Sequence, residues 1–313
     1  FGAFAEGSAM SSKLQGKLLA LDPLHSEVIA IRRQTRGSTF TTTDEEFVVK
    51  SRDEAFRPVY IANAPDGSIY VADMYEYYIA HGQHYQNQID TTTGRIYRLS
   101  GTGTTLETKV SASEQSNEEL EAWLDHPNKW HRYAASRELG IRGDANVATR
   151  LNQQFVTYSD QAALHALWAL QQMDWVHEDT WAAALGHRSA LVRLWSVRLL
   201  GDRYGIQRNL GLPPVREAAH QATSLPEKLR SIMWERTSVE PDAEVRCQIA
   251  GTARRLSLDD GLQLLRLLVQ HDEDTNDPYI PLMCWWILEA HLPKSTDEIM
   301  TFFGDPSLWS RPM

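Results

Sequence analysis

Hydrophobic positions follow a two-residue period through the first hundred residues. Short aliphatic and β-branched runs, separated by turn residues, occur at 17–21, 27–31, 39–42 and 46–49. The spacing between these runs is too short for crossover helices, so the pattern predicts successive antiparallel strands.

The segment 56–99 contains the clearest hairpin of the chain. Alternating positions lie on either side of the turn NAPDG at 63–67, in which Pro65 presets φ and Gly67 accepts a positive φ. A third strand is predicted at 95–99, after a His-rich loop. Because so few strands cannot cover their own sheet edges, we interpret residues 1–100 as the last blade or blades of a β-propeller whose other blades precede Phe1.

The pattern changes after residue 100. Residues 101–117 are rich in Ser, Thr and Gly and predict a linker, and from 118 onwards the hydrophobic period is 3.6 residues. The second helices of successive pairs are predicted to begin near 130, 161, 191, 244 and 279. Gaps of about 30 to 35 residues are typical of helix-pair repeats, and the one longer gap indicates an insertion around 204–226. Residues 118–313 therefore predict a HEAT/ARM-like α-solenoid in which the tryptophans form the core.

Charge and cysteine content exclude several classes of protein. A net charge of −10 argues against a nucleic-acid partner, which needs a basic surface. Cys247 and Cys284 belong to no C-x-x-C pair, so we interpret both as free thiols. No apolar run reaches the ~18 residues of a membrane span. Serine-hydrolase, P-loop and Rossmann motifs are absent from the sequence, and the acidic run at 271–277 lacks the Gly and the terminal Glu of a Ca²⁺ loop.

Candidate ligand-binding residues lie in and around the loop that follows the hairpin: Arg57, Asp73, Tyr75, His81 and His84. Arg57 and Asp73 are expected to face the same rim from neighbouring strands. His81 and His84, three apart, are compatible with a metal site, with a polar loop packed against a neighbouring element, or with ligand contact at a channel mouth. Because two His at this spacing are a common coincidence, we assign no metal ligand, and we assign no catalytic residue.

Three stretches together resemble a known family. They are RPVYIANAPDGSIYVADMYEYYIAHGQHYQNQIDTTTGRIYRL, LDHPNKWHRYAASRELGIRGD and DEDTNDPYIPLMCWWILEA. They resemble large multidomain proteins of planctomycete-type bacteria, in which a sugar-dehydrogenase-like six-bladed β-propeller precedes HEAT repeats and usually a c-type cytochrome domain. No C-x-x-C-H occurs in this sequence and most of the propeller is missing, so the chain is expected to be a middle fragment.

The resemblance implies an exported sugar or alcohol dehydrogenase, periplasmic or extracellular. Its solenoid would dock a partner, and its electrons would pass to a cytochrome domain outside the chain. Pyrroloquinoline quinone, Ca²⁺ and haem c would belong to the full-length protein, with no cofactor in this fragment, which is expected to be inactive alone. The alternative is a non-catalytic propeller-solenoid scaffold that binds polysaccharide or protein.

Overall fold

The computed structural model describes residues 1–77, 92–108, 111–205, 223–292 and 295–312. Seven strands come first in the described chain: β1 (Gly2–Phe4), β2 (Leu18–Asp22), β3 (Glu27–Arg36), β4 (Thr39–Lys50), β5 (Pro58–Asn63), β6 (Ile69–Asp73) and β7 (Arg95–Leu99). They form one sheet of four strands in the order β1-β2-β3-β4 and one of three strands in the order β5-β6-β7.

Both sheets are built from sequence neighbours. β2 pairs antiparallel with β3, with Ala20 opposite Ile29, and β6 pairs antiparallel with both β5 and β7. The turn between β5 and β6 places Gly67 at φ +83°, the conformation for which glycine is suited. Alternation buries Ile69, Val71 and Asp73 on one side of β6, whereas β4 and β7 contain no fully buried residue.

Neither sheet closes, and the prediction of the C-terminal part of a six-bladed β-propeller is wrong for the residues described. β5 packs against β1 and β2, and a single core joins Leu19, Val28 and Ala30 of the larger sheet to Ile61 and Val71 of the smaller one. The two apolar faces therefore cover each other, instead of belonging to blades arranged around a channel. A two-residue period predicts strands but does not determine how the sheets pack, which is where the prediction failed.

A helical region forms the C-terminal part of the chain. Eleven α-helices are described: α1 (Asn117–Trp123), α2 (Lys129–Arg142), α3 (Ala145–Gln154), α4 (Asp160–Gln172), α5 (Glu178–Leu185), α6 (Ala190–Tyr204), α7 (Glu227–Val239), α8 (Ala243–Ala253), α9 (Leu258–Leu268), α10 (Ile280–His291) and α11 (Thr296–Phe303). Short 3₁₀ helices follow α3, α9 and α11. Most of the insertion expected around 204–226 lies outside the described residues. No described helix is both long enough and apolar enough to cross a membrane.

Contacts divide the chain into two compact units. The first comprises Phe1–Gln34 and Thr41–Arg142, so α1 and α2 belong with the sheets; the second comprises Thr35–Phe40 and Gly143–Met313. Within the second unit α4, α6, α8 and α10 pack in succession, and α5, α7 and α9 form a parallel row of contacts. Each helix therefore buries its apolar stripe against the next member of its own row and against the other row.

One turn geometry recurs before α2, α6 and α8. The Arg of the first or second helical turn donates to a backbone carbonyl six residues earlier: Arg132 to His126, Arg193 to His187 and Arg246 to Glu240, at 2.7 to 2.8 Å. The residue that supplies this carbonyl also accepts a hydrogen bond through its side chain, from the backbone N–H of the residue two positions later. The donors are Asn128 to His126, Ser189 to His187 and Asp242 to Glu240. Carbonyls and N–H groups that the helix ends leave open are thereby satisfied inside the protein.

Candidate functional site

The structure places Arg57 and Asp73 side by side at one end of the β5–β6 pair. The Arg57 backbone N–H donates to Asp73 Oδ1 at 2.8 Å, and the Tyr75 N–H donates to the same oxygen at 2.9 Å. Asp73 is 4% exposed, and its Oδ2 has no hydrogen-bond partner among the described residues. One oxygen of its carboxylate therefore fixes the backbone at the end of the hairpin, and its role in ligand binding stays a prediction.

The Arg57 guanidinium bonds to other groups. It donates to Ser26 Oγ at 2.9 Å and to the Tyr77 carbonyl at 3.0 Å, and it lines an open polar pocket of about 280 Å³ with His25. Tyr75 has φ +56°, and the guanidinium of Arg95 lies 4.0 Å from its ring centre. The predicted candidates thus lie near one another without converging on one point, and His81 and His84 fall outside the described residues.

A cluster that sequence analysis did not identify lies elsewhere in the first unit. Glu107, His126 and His131 each present a ligand-type atom, and these atoms all lie within 4.8 Å of one another. His131 Nε2 is 2.7 Å and His126 Nε2 is 3.6 Å from Glu107 Oε2. His131 is 1% exposed, and its ring lies 4.3 Å from that of Trp123.

The proton positions in this cluster do not suit a metal ion. His126 Nδ1 accepts the Asn128 N–H at 3.0 Å, so in the neutral ring the proton is on Nε2. His131 Nε2 is 3.0 Å from the Pro65 carbonyl as well as close to Glu107, and only a protonated nitrogen is stable between two acceptors. Both nitrogens that face Glu107 therefore carry protons, whereas a metal needs their lone pairs.

The cluster is best described as a network of hydrogen bonds around the Glu107 carboxylate. Ser8 Oγ donates to Glu107 Oε1, and Asn128 Nδ2 donates to the same oxygen at 3.4 Å and to the Ala64 carbonyl at 3.2 Å. This network of hydrogen bonds connects the β5–β6 turn to the beginning of α2. The stretch LDHPNKWH carries all of these helix-side residues, but its pairing with Glu107 is visible only in three dimensions.

An apolar groove lies in the second unit, between α9, α10 and α11. Its volume is about 230 Å³, and its lining comes from both rows of helices and the last 3₁₀ helix: Leu265, Val269, Pro281, Cys284, Trp285, Leu288, Phe302, Phe303, Leu308 and Trp309. Trp285 is 57% and Trp309 71% exposed. The Trp309 indole N–H donates to the Phe303 carbonyl at 2.8 Å, so this exposed ring is held in a fixed position.

Among the described residues that line the groove, the one titratable nucleophile is the Cys284 thiol. Cys284 is buried, and burial raises the pKa of its thiol to about 12, so the sulfur stays protonated and contributes only apolar surface. Apolar lining with exposed, fixed indole rings can bind apolar side chains but supplies no acid, base or nucleophile for chemistry. The sequence motif CWW at 284–286 was interpreted as core, and the exposure of Trp285 was the feature that sequence analysis missed.

Residues 2–102 match a family described as a domain of unknown function, DUF7133, so the match spans the seven strands and ends just after β7. No curated protein and no solved structure matches the chain. The resemblance to planctomycete-type dehydrogenases therefore stays a prediction, and the first third of the chain is similar to a family to which no activity is assigned.

Proposed function

We propose that this protein is a non-catalytic binding scaffold whose C-terminal helices hold a segment of another protein in the α9–α11 groove. The observation that carries the proposal is the pair of exposed indoles, Trp285 and Trp309, at an apolar groove. Contiguous exposed apolar surface marks interaction sites, and Trp is enriched among the residues that dominate binding energy.

The size and lining of the groove favour a protein segment over the other expected ligands. Its volume of about 230 Å³ is below the usual ~300 to 1,000 Å³ of small-molecule sites but fits one or two apolar side chains. Polysaccharide binding would need hydroxyl-directed polar groups beside the aromatic rings, and the lining has few of them. A scaffold function was the alternative prediction from the sequence. Its binding role is retained here, but the propeller that it assumed is not.

The test is selection of displayed random peptides on the full chain. We expect enrichment of sequences with apolar anchor residues, and loss of their binding to Trp285→Ser and to Trp309→Ser. A matched control is Trp175→Ser, which changes a tryptophan outside the groove. No enrichment, or binding that neither groove substitution weakens, would overturn the proposal, and binding of polysaccharides from a glycan panel in the same format would favour the other alternative.

The dehydrogenase prediction is tested separately. Purified protein with pyrroloquinoline quinone, Ca²⁺, a panel of aldoses and a dye acceptor is expected to give no dye reduction above the protein-free rate. Robust turnover that depends on the protein would contradict the proposed non-catalytic role.

A further inference from the structure

The surroundings of the groove are acidic, and this specifies the partner more closely than apolar surface alone. Exposed carboxylates lie on the two helices that form its walls: Glu289 on α10, and Asp297 and Glu298 on α11. None of the three forms an ion pair within the described part of the chain, and exposed carboxylates attract a partner of opposite charge.

Two arginines near the groove are already ion-paired. Arg266 is paired with Asp305, and Arg311 with Asp272 at 3.1 Å. Between residues 258 and 312 the sequence has ten Asp and Glu against three Lys and Arg. This part of the sequence therefore has an excess of carboxylates, in agreement with the charge of −10 for the whole chain, and such an excess favours a basic partner.

The exposed face of α10 continues the apolar surface beyond the groove. Leu282, Trp285, Glu289 and Leu292 are all exposed and follow one another at intervals of three and four residues, so they lie along one face of the helix. An apolar strip with one carboxylate in it matches a helix that presents apolar anchors and basic residues together.

We propose that the occupant of the groove is a basic amphipathic helix of a partner protein, with apolar anchors at i, i+3 or i+4 and i+7 and with Lys or Arg on either side of them. This inference rests on the proposed function and adds the charge and the secondary structure of the partner. A second copy of this chain would bring the same acidic face to the groove, and like charges would oppose its docking. An anionic membrane surface is repelled for the same reason.

Two synthetic peptides test whether the groove prefers a positively charged helix. Both are helical and share one row of Leu and Trp anchors; one carries Lys at its flanking positions and the other carries Glu at the same positions. Binding of each labelled peptide to the full chain is measured by fluorescence anisotropy at low and at high salt. We expect the Lys peptide to bind at least about tenfold more tightly than the Glu peptide, with the difference shrinking as salt rises.

Substitutions then test whether the peptides bind in the groove and beside its carboxylates. The double variant Glu289→Lys and Glu298→Lys is expected to weaken the Lys peptide about tenfold and to strengthen the Glu peptide, whereas Glu235→Lys on α7 changes neither. Equal binding of the two peptides, abolished by Trp285→Ser, would overturn the basic partner while leaving the groove as a docking site. Lys-peptide binding that Trp285→Ser does not weaken would overturn both the inference and the proposed function.

Discussion

Arg246 is a buried charge of the second unit. Its side chain is 3% exposed, and its guanidinium holds the Asp274 carboxylate with two hydrogen bonds, of 2.6 and 2.5 Å, and the Glu240 carbonyl with a third. Buried charges are stable only when paired and fully hydrogen-bonded, and Asp274 is itself buried. This one side chain therefore ties the beginning of α8 to the segment that precedes α10.

Replacing Arg246 by Met should lower the free energy of unfolding by about 3 to 5 kcal/mol, because Asp274 is left as a buried, unpaired carboxylate. Urea unfolding followed by circular dichroism measures the change. The matched control is Arg188→Met, which removes an exposed ion pair with Asp160 and should cost about 1 kcal/mol or less. Equal losses in the two variants would contradict the role assigned to Arg246.

At the scale of elements, the turns before α2 and α6 depend on neutral histidines. His126 and His187 each accept a backbone N–H through Nδ1, and Glu240 supplies an oxygen at the corresponding place before α8. Burial lowers the pKa of both histidines, with nearby positive charge as a further cause. Because their folded pKa lies below the unfolded value of 6.5, the unfolded state takes up protons first as the pH falls.

The contribution of the two neutral histidines to the free energy of unfolding should accordingly be fully present above about pH 6.5. It should decrease as the pH falls towards their lowered folded pKa values. His187→Gln keeps an oxygen acceptor for the Ser189 N–H but cannot titrate, so its loss of stability between about pH 7.5 and about pH 5 should be smaller than that of the unmodified protein. Urea unfolding at the two pH values measures this. His177→Gln, at an exposed position, is the control, and an unchanged pH dependence in His187→Gln would refute the explanation.

The turn between β3 and β4 belongs to the second unit, where the Asp277 carboxylate holds it. Ser38 donates to Asp277 through its backbone N–H at 2.7 Å and its hydroxyl at 2.6 Å, and Asp277 also accepts the N–H groups of Tyr279 and Ile280. Burial alone would raise the pKa of Asp277, but these hydrogen bonds lower it below its usual value. Gly37, at φ +56°, lets the chain pass close to that carboxylate.

Gly37→Ala should therefore be destabilising beyond the conformational cost of a positive φ. An added Cβ would clash with Asp277 Oδ2, and moving the carboxylate breaks its bonds to Ser38. Gly143→Ala is a close control, because Gly143 has φ +59° and nothing within 4 Å of the added Cβ. We expect a cost of about 1 kcal/mol for Gly143→Ala and at least about 2 kcal/mol for Gly37→Ala in thermal unfolding. Similar costs in the two variants would show that the close approach does not matter.

At the scale of the whole molecule, net charge and exposed apolar surface act against each other. The chain carries −10 at neutral pH, which keeps molecules apart, and has a sequence pI near 5.6. Near that pH the repulsion vanishes while the indoles of Trp285 and Trp309 stay exposed. Apolar contact between molecules is then no longer opposed.

Self-association should therefore appear as the pH approaches about 5.6 and should be reduced in the double variant Trp285→Ser and Trp309→Ser. Sedimentation velocity at that pH and at neutral pH measures it, with Trp175→Ser as the control. Association that is equally strong in the double variant would indicate that another surface is responsible.

Several features of this protein follow from local sequence. Alternation of apolar positions places the strands near Leu18–Asp22 and Ile69–Asp73, and capping residues such as Ser116 and Asp144 set where helices begin, because their oxygens bond the first free N–H groups. The helical period after residue 117 likewise needs only neighbours in sequence. These are interactions within a few residues, so the sequence alone determines them.

Tertiary structure decided what depends on distant residues. The same strands are compatible with propeller blades or with two open sheets, and the packing of Leu19 and Val28 against Ile61 and Val71 selected the second. Glu107 meets His131, and Ser38 meets Asp277, only because the chain folds back over long separations. Trp285 looks like a core residue in sequence, and whether it is covered depends on which helix lies beside it. Side-chain exposure is a property of the packed molecule, and for this reason the groove could be found only there.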